Sequence, residues 1–447
     1  MARSSRPEFA EPEYRPEFID DVQAFSHPLD GCGDLDPLID RIGNARFVLL
    51  GEASHGTAEY YEWRRRITQR LIRDKGFSFI AVEGDWPDCY RVNRYVKGRP
   101  DAGANAREAL HEFERWPTWM WANEEVAELA EWLHEFNATV PEERKAGFFG
   151  LDVYSLWESM EAVLGYLVRT EAEPSVEAAR RAFECFEPFG RDEHEYARAT
   201  RWAPQSCEDE VVRMLQDLRL HAPKYEHDGR EEFFNAEQNA LVARNAERYY
   251  RTMVRGDAQS WNVRDGHMVE TLNRLAEFHG EDCKAIVWEH NTHIGDARYT
   301  DMAADGMVNV GELVRQQRQA DGVVLVGFSS YRGTVIAGDY WGAPMRKMPM
   351  PPGRPGSWED ALHHALGVDS LLVFNSDESE ELLEPRGHRA IGVVYRPDIE
   401  AFGNYVPTIL PRRYDALAYF DWTHALHPLN IAADVAHEVP ETYPSGV

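Results

Sequence analysis

The sequence predicts an α/β protein: a mixed, largely parallel sheet flanked by helices, with a helical insertion or lid subdomain between two parts of the core. Three observations carry the prediction. Phe47–Leu50, Phe77–Val82, Ala146–Leu151, Lys284–Trp288 and Val323–Phe328 are short, mainly apolar runs, the pattern of strands buried on both faces. Most of the segments between them carry helical periodicity, as crossovers in a parallel sheet do. From Tyr166 to Met253 no strand pattern occurs, and the sequence stays acidic, aromatic and helix-like.

Residues 1–33 read as an N-terminal extension, polar and broken by proline, without the apolar centre of a signal peptide. Residues 34–165 read as the first part of the α/β core. A short amphipathic helix at Leu35–Ile42 leads into the strand Phe47–Leu50, which Gly51 ends. In the helix that follows, Tyr60, Trp63, Ile67 and Leu71 share one face, and Ser54 is placed to cap it. The strand Phe77–Val82 ends in Glu83-Gly84. One helix between two strands implies a right-handed crossover and a parallel pair, so Glu52 and Glu83 are expected at neighbouring strand ends. Ala104–Val140 reads as helical, its Trp116, Trp119, Met120 and Trp121 as core aromatics. Asp152 stands at the end of the strand Ala146–Leu151, as a helix cap or a site residue.

Residues 166–258 are the insertion or lid, with Glu231–Met253 its clearest helix. Residues 259–430 form the second part of the core. It opens with a helix at Trp261–His279, where Met268, Leu272 and Leu275 point inward while Arg264, Asp265 and His267 crowd the first turn. Strands follow at Lys284–Trp288 and Val323–Phe328, the latter continuing as a hairpin from Ser329 to Asp339. Met345–Gly356 reads as a loop or flap, Leu371–Phe374 and Ala390–Tyr395 as short strands, and Asp415–Leu429 as a last strand and turn. The tail at 431–447 is expected to be ordered only by docking.

An apolar fraction of 43% over 447 residues supports a sizeable core. Acidic residues number 77 against 48 basic ones, a formal charge of −29; such a surface repels phosphate backbones and argues against nucleic acid as a partner. No uninterrupted apolar span approaches the ~20 residues of a membrane helix. Cys32, Cys89, Cys185, Cys207 and Cys283 are odd in number and scattered, which argues against a disulfide framework or a cysteine-rich zinc site and for a reducing, cytoplasmic setting. Lysine is confined to Lys75, Lys97, Lys145, Lys224, Lys284 and Lys347, the mark of a GC-rich genome or a salt-adapted proteome.

The chemistry concentrates in Arg46–Arg64, RFVLLGEASHGTAEYYEWR. Arg64 falls on the inward face of its helix, where a guanidinium is tolerated only if carboxylates or a ligand anion meet it. Glu52, Ser54 and His55 lie in the turn at a strand's carboxyl end, where parallel sheets present ligands. A second set, Glu289-His290-Asn291-Thr292-His293, ends another strand; its glutamate precedes the first histidine and its histidines are three apart, so it is not the HExxH metalloprotease pattern. Glu52, Glu83, His55, His290, His293 and Arg64 together suit hydrolysis by histidine-activated water, with an arginine or second histidine stabilising the oxyanion. Asp152, Arg264, His267 and Trp119 are candidate substrate-binding residues around them. A serine hydrolase lacks its GxSxG elbow, and a glycosidase built on Glu52 and Glu83 leaves the histidines unexplained. The histidine reading needs no cofactor. Two alternatives stand beside it: a divalent metal held by the same groups, and a non-catalytic metabolite pocket, for which so many ionisable groups would be costly.

In order and spacing, GEASHG at 51–56, the arginine nine residues past its histidine, VEG at 82–84, GLDVYSL at 150–156, SWNVRDGHM at 260–268 and VWEHNTHIGDAR at 287–298 resemble the erythromycin esterase-like family. The resemblance runs from about Phe47 to about Leu429. It implies that His55 is the general base activating water, that Glu52, Arg64, Glu83, His290 and His293 match the other active-site positions, and that the substrate is a small-molecule ester of lactone or macrolide type. Many members of the family act on something other than a macrolide, so an antibiotic substrate does not follow from the site.

Overall fold

The computed structural model describes residues 13–429 apart from 101, 171–172, 190–192, 203–205, 221–226, 254–256 and 376–379; the reading of the tail lies outside the described residues. The chain opens with α1 (Pro16–Phe25), β1 (Ser26–Pro28), α2 (Asp36–Ile42), β2 (Phe47–Leu50), α3 (Ala58–Lys75), β3 (Phe79–Asp85), α4 (Trp86–Val96), α5 (Ala106–Leu110), α6 (Glu124–Ala138) and β4 (Gly147–Asp152). Helices then follow one another: α7 (Leu156–Arg169), α8 (Glu173–Phe186), α9 (Glu193–Trp202), α10 (Glu208–Leu220), α11 (His227–Met253) and α12 (Asp257–His279). The chain returns through β5 (Ala285–Trp288), α13 (Asn291–Ile294), α14 (Val310–Gln317), β6 (Val323–Ala337), β7 (Arg346–Met350), α15 (Trp358–Ala365), β8 (Ser370–Val373), β9 (Arg386–Arg389), α16 (Glu400–Gly403), β10 (Tyr405–Thr408), α17 (Leu410–Arg413) and β11 (Ala416–Thr423).

Among the described residues nine strands form one sheet in the order β1-β8-β11-β6-β2-β5-β3-β4, with β7 paired to β6. The pairs from β11 to β4 are parallel, and β1, β8 and β7 join antiparallel at the margin. The carboxyl ends of β2, β3, β4 and β5 therefore lie along one rim. Strand alternation divides the core in two. Val48, Leu50, Ile80, Val82, Ile286 and Trp288 pack with Tyr60, Trp63, Ile67 and Leu71 of α3 on one side. Phe47, Leu49, Phe79, Ala81, Ala285 and Val287 pack on the other with Met268, Leu272 and Leu275 of α12 and Trp358 of α15. The helices between β4 and α12 add a core of their own, from Leu156 and Met160 through Val211 and Met214 to Leu241 and Tyr249.

Several expectations are corrected. β2 and β3 are parallel but do not pair, because β5 lies between them; Glu52 and Glu83 flank its end rather than sit on adjacent strands. Helix α3 begins at Ala58, and Ser54, whose hydroxyl bonds to that of Thr57, does not cap it. The helical stretch at Ala104–Val140 is broken between α5 and α6, with a 3₁₀ turn at Thr118–Met120. Because α12 starts at Asp257, Arg264, Asp265 and His267 lie about two turns inside it. Met345–Gly356 contains an edge strand, β7, and Ala390–Tyr395 follows a strand rather than forming one. Cys185 and Cys207 are joined by a disulfide, so the expected all-reduced cysteines give way to a bond within the helical insertion. Among the described residues no helix is long and apolar enough to cross a membrane.

Candidate functional site

The rim is assembled from the ends of four strands, β2, β3, β4 and β5, and from helices α3, α12 and α13, and every group on it is buried. From β2 comes Glu52, whose two oxygens serve two partners: Oε1 lies 2.8 Å from His55 Nδ1, and Oε2 accepts from Arg64 Nη2 at 2.6 Å. The Arg64 guanidinium lies over the rings of both Tyr61 and Trp288, 4.3 and 4.6 Å from their centroids. It is fully buried, and the acid that its inward position demanded is Glu52. A carboxylate facing Nδ1 keeps the imidazole hydrogen there and leaves the basic lone pair of His55 on Nε2.

β5 and α13 supply the second imidazole. The backbone N–H of His290 donates to Glu83 Oε2 at 2.8 Å, which ties the end of β5 to the end of β3. The ring's Nδ1 accepts from the Thr292 N–H at 3.3 Å and lies 2.8 Å from the Thr292 hydroxyl. A backbone N–H only donates, so the hydrogen of neutral His290 is on Nε2. Burial, aided by the nearby His55, holds its pKa well below the usual histidine value. Nε2 has no hydrogen-bond partner among the described residues, and the His290 ring stands 4.9 Å from that of His55, centroid to centroid. Two neighbouring imidazoles are thus held in opposite tautomers, one with a basic Nε2 and one with an Nε2–H.

Behind them lies a charge-compensated layer. His293 stacks on Trp261 at 4.6 Å; its Nδ1 meets both oxygens of Asp265 at 3.0 Å and its Nε2 lies 3.4 Å from Glu83 Oε1. Burial disfavours its charge, but these two anions outweigh burial and hold its pKa well above the usual value. Arg264 donates to Glu83 Oε1 at 2.9 Å and to Asp152 Oδ1 and Oδ2 at 3.0 and 2.7 Å. Burial opposes the charge on Glu83 as well; His293, His55 and Arg264 overcome it and keep its carboxyl well below the ordinary range.

Of the residues singled out from the sequence, His55, Glu52, Arg64, Glu83, His290, His293, Asp152 and Arg264 come together in these two layers. His267 stands at their edge: its Nδ1 lies 2.8 Å from Asn245 Nδ2 on α11, and Asp152 is its neighbour in the layer. Trp119 is buried in the aromatic core around α3 and β3. Two further residues belong to the site. Asp265, which the sequence places beside Arg264 and His267 behind the reacting groups, anchors His293. Glu289 is fully buried with both carboxyl oxygens unpartnered among the described residues, and burial drives its pKa well above the ordinary range. Its sequence signal was faint: an acid beside a histidine at the end of an apolar strand. The set does not fit a metal. Glu52 and Glu83 are engaged by Arg64 and Arg264, and among the described residues no three His, Cys, Asp or Glu side chains are placed to hold an ion.

Comparison with known proteins adds to this geometry. The family model described as erythromycin esterase matches residues 72–423. An Escherichia coli protein, erythromycin esterase type II, is 23% identical over 381 residues, 80% of this chain and 87% of its own. Among solved structures, a succinoglycan biosynthesis protein has a TM-score of 0.74 at 21% identity, covering 92% of this chain and 98% of the other. A Bacillus cereus protein has a TM-score of 0.72 at 20% identity, covering 93% and 99%. An erythromycin esterase mutant in its open conformation has a TM-score of 0.62 at 16% identity, covering 93% and 98%.

Proposed function

Because the chain belongs to the erythromycin esterase family, we propose that it hydrolyses a carboxylic ester, of lactone or macrolide type, with His55 and His290 in separate roles. His55 Nε2 takes a proton from water as the oxygen attacks the ester carbonyl, and Glu52 steadies the imidazolium that forms. His290 Nε2–H donates to the carbonyl oxygen as it becomes an oxyanion. When the tetrahedral intermediate collapses, the proton passes from His55 to the departing alkoxide, leaving acid, alcohol and the starting imidazole.

The observation that carries this reading is a pair of imidazoles 4.9 Å apart, one with its Nδ1 on a carboxylate oxygen and the other with its Nδ1 on a backbone N–H. A single histidine would serve as base or donor; the pair supplies both. The buried site implies that covering groups move aside to admit substrate, in keeping with the erythromycin esterase mutant solved in an open conformation.

The test is turnover of a panel of lactones, macrolides and simple esters by the purified protein, with and without chelator, beside His55→Ala. We expect activity that survives chelation and falls at least ~10²-fold in the variant. Near wild-type turnover in His55→Ala would remove the base from the scheme. Loss on chelation with recovery on adding a divalent ion would give the water to a metal.

A further inference from the structure

Asn291, between the two histidines of the HNTH turn, is held from every side. Its N–H donates to Glu52 O at 2.8 Å, and its carbonyl accepts from Arg413 Nη2 at 2.8 Å. Its side chain bonds both backbone groups of Phe328 on β6, with Nδ2 donating to the carbonyl at 2.7 Å and Oδ1 accepting from the N–H at 3.2 Å. One further contact reaches across to β9: Nδ2 lies 3.4 Å from His388 Nε2. His388 is 1% exposed, and its other nitrogen, Nδ1, lies 2.8 Å from Glu359 Oε1. The same oxygen accepts from Ser329 Oγ at 3.0 Å and from the Arg389 N–H at 2.9 Å.

These contacts fix a direction. A carboxylate oxygen at Nδ1 draws the imidazole hydrogen there, so Nε2 presents a lone pair to the Asn291 amide. Glu359, His388 and Asn291 form a chain of carboxylate, imidazole and amide that leads to the turn beside His290, where the Asn291 N–H meets the Glu52 carbonyl. The tautomer of His290 depends on that turn, because the Thr292 N–H which sets it lies one residue beyond Asn291. A buried imidazole between a carboxylate and an amide is costly unless its two bonds are used.

We propose that His388, held by Glu359, is a positioning residue for the esterase reaction: by accepting from Asn291 it locks the turn that aims His290 Nε2–H at the reacting oxygen. Its kinetic readout rests on the ester-hydrolase reading. The experiment compares His388→Asn, whose amide reaches Glu359 but not Asn291, with His388→Gln, whose amide oxygen falls near the position of Nε2 and can accept from Asn291. His388→Asn is expected to lose about tenfold in kcat with KM and Tm little changed, and His388→Gln to recover most of it. In parallel, the ¹H–¹⁵N signal of His290 Nε2–H, assigned by its loss in His290→Ala, should shift in His388→Asn and return in His388→Gln. Unchanged kcat in His388→Asn, or equal loss in both variants with a parallel fall in Tm, would overturn the proposal. If the wild type cleaves no ester, the imidazole signal alone decides: an unperturbed His290 in His388→Asn is the negative result. If His388→Asn does not fold, Glu359→Gln serves instead, with a lower kcat at unchanged KM expected and an unchanged kcat counting against the idea.

Discussion

Glu52 is the residue at which structure and chemistry are joined, because one carboxylate answers both a buried guanidinium and an imidazole. Arg64→Ala would leave it buried with its cation gone. Breaking a buried pair from one side costs about 3–5 kcal/mol, so the variant should unfold at lower denaturant and turn over more slowly; an unchanged unfolding midpoint would show that Glu52 does not depend on Arg64. The need for an acid beside Arg64 was legible in its inward spacing, although the sequence could not say which acid would answer. The tautomer of His290 was not legible, since it depends on one backbone N–H in a four-residue helix. Glu289 was hidden for a related reason: its isolation follows from the arrangement of its neighbours in space, which no spacing encodes.

The junction between β2 and α3 sets where His55 stands, and the hairpin of β6 and β7 closes over it. Gly56 accepts from Ile336 N at 3.0 Å, and a Cβ there would lie 1.9 Å from Ile336 O. That oxygen belongs to a paired strand and cannot yield cheaply, so Gly56→Ala should destabilise by at least the ~1–3 kcal/mol of an overpacked core. Thermal unfolding would read this as a lower Tm, and a Tm equal to wild type would mean that the hairpin can lift. The central strands were legible because burial on both faces leaves an unbroken apolar run. β7 was not: RKMPM alternates exposed and buried positions at an edge and contains Pro349, which an edge strand tolerates. Ala390–Tyr395 misled in the opposite sense, since it is apolar and buried yet bonds the sheet only through isolated bridges at Ile391 and Val394.

Across the molecule, buried ionisable groups tie stability to pH. Burial, despite nearby Glu270 and Asp152, lowers the pKa of His267 from 6.5 to about 4. The unfolded chain therefore takes up that proton before the folded one does, so this contribution is full above pH 6.5 and lost as pH falls towards 4. Burial resists the charge on Glu359, but His388 and Arg389 bring its pKa from 4.5 to about 2, so its contribution disappears lower, between those values. Tm should thus decline in two stages on acidification, and His267→Gln should flatten the upper stage; an unaltered upper slope would place the titration elsewhere. The parallel sheet and its helical cover were legible from the alternation of patterns, but the order of strands was not, because adjacency in a sheet is independent of adjacency in sequence. That order bears on how the chain is made. β2 and β3 emerge early from the ribosome, yet the strand that joins them, β5, lies beyond the whole helical insertion. Until residues 285–288 are synthesised, two apolar strands wait with unsatisfied edges, a state open to chaperones and to aggregation. The candidate site is completed late, by closure of a gap within the sheet.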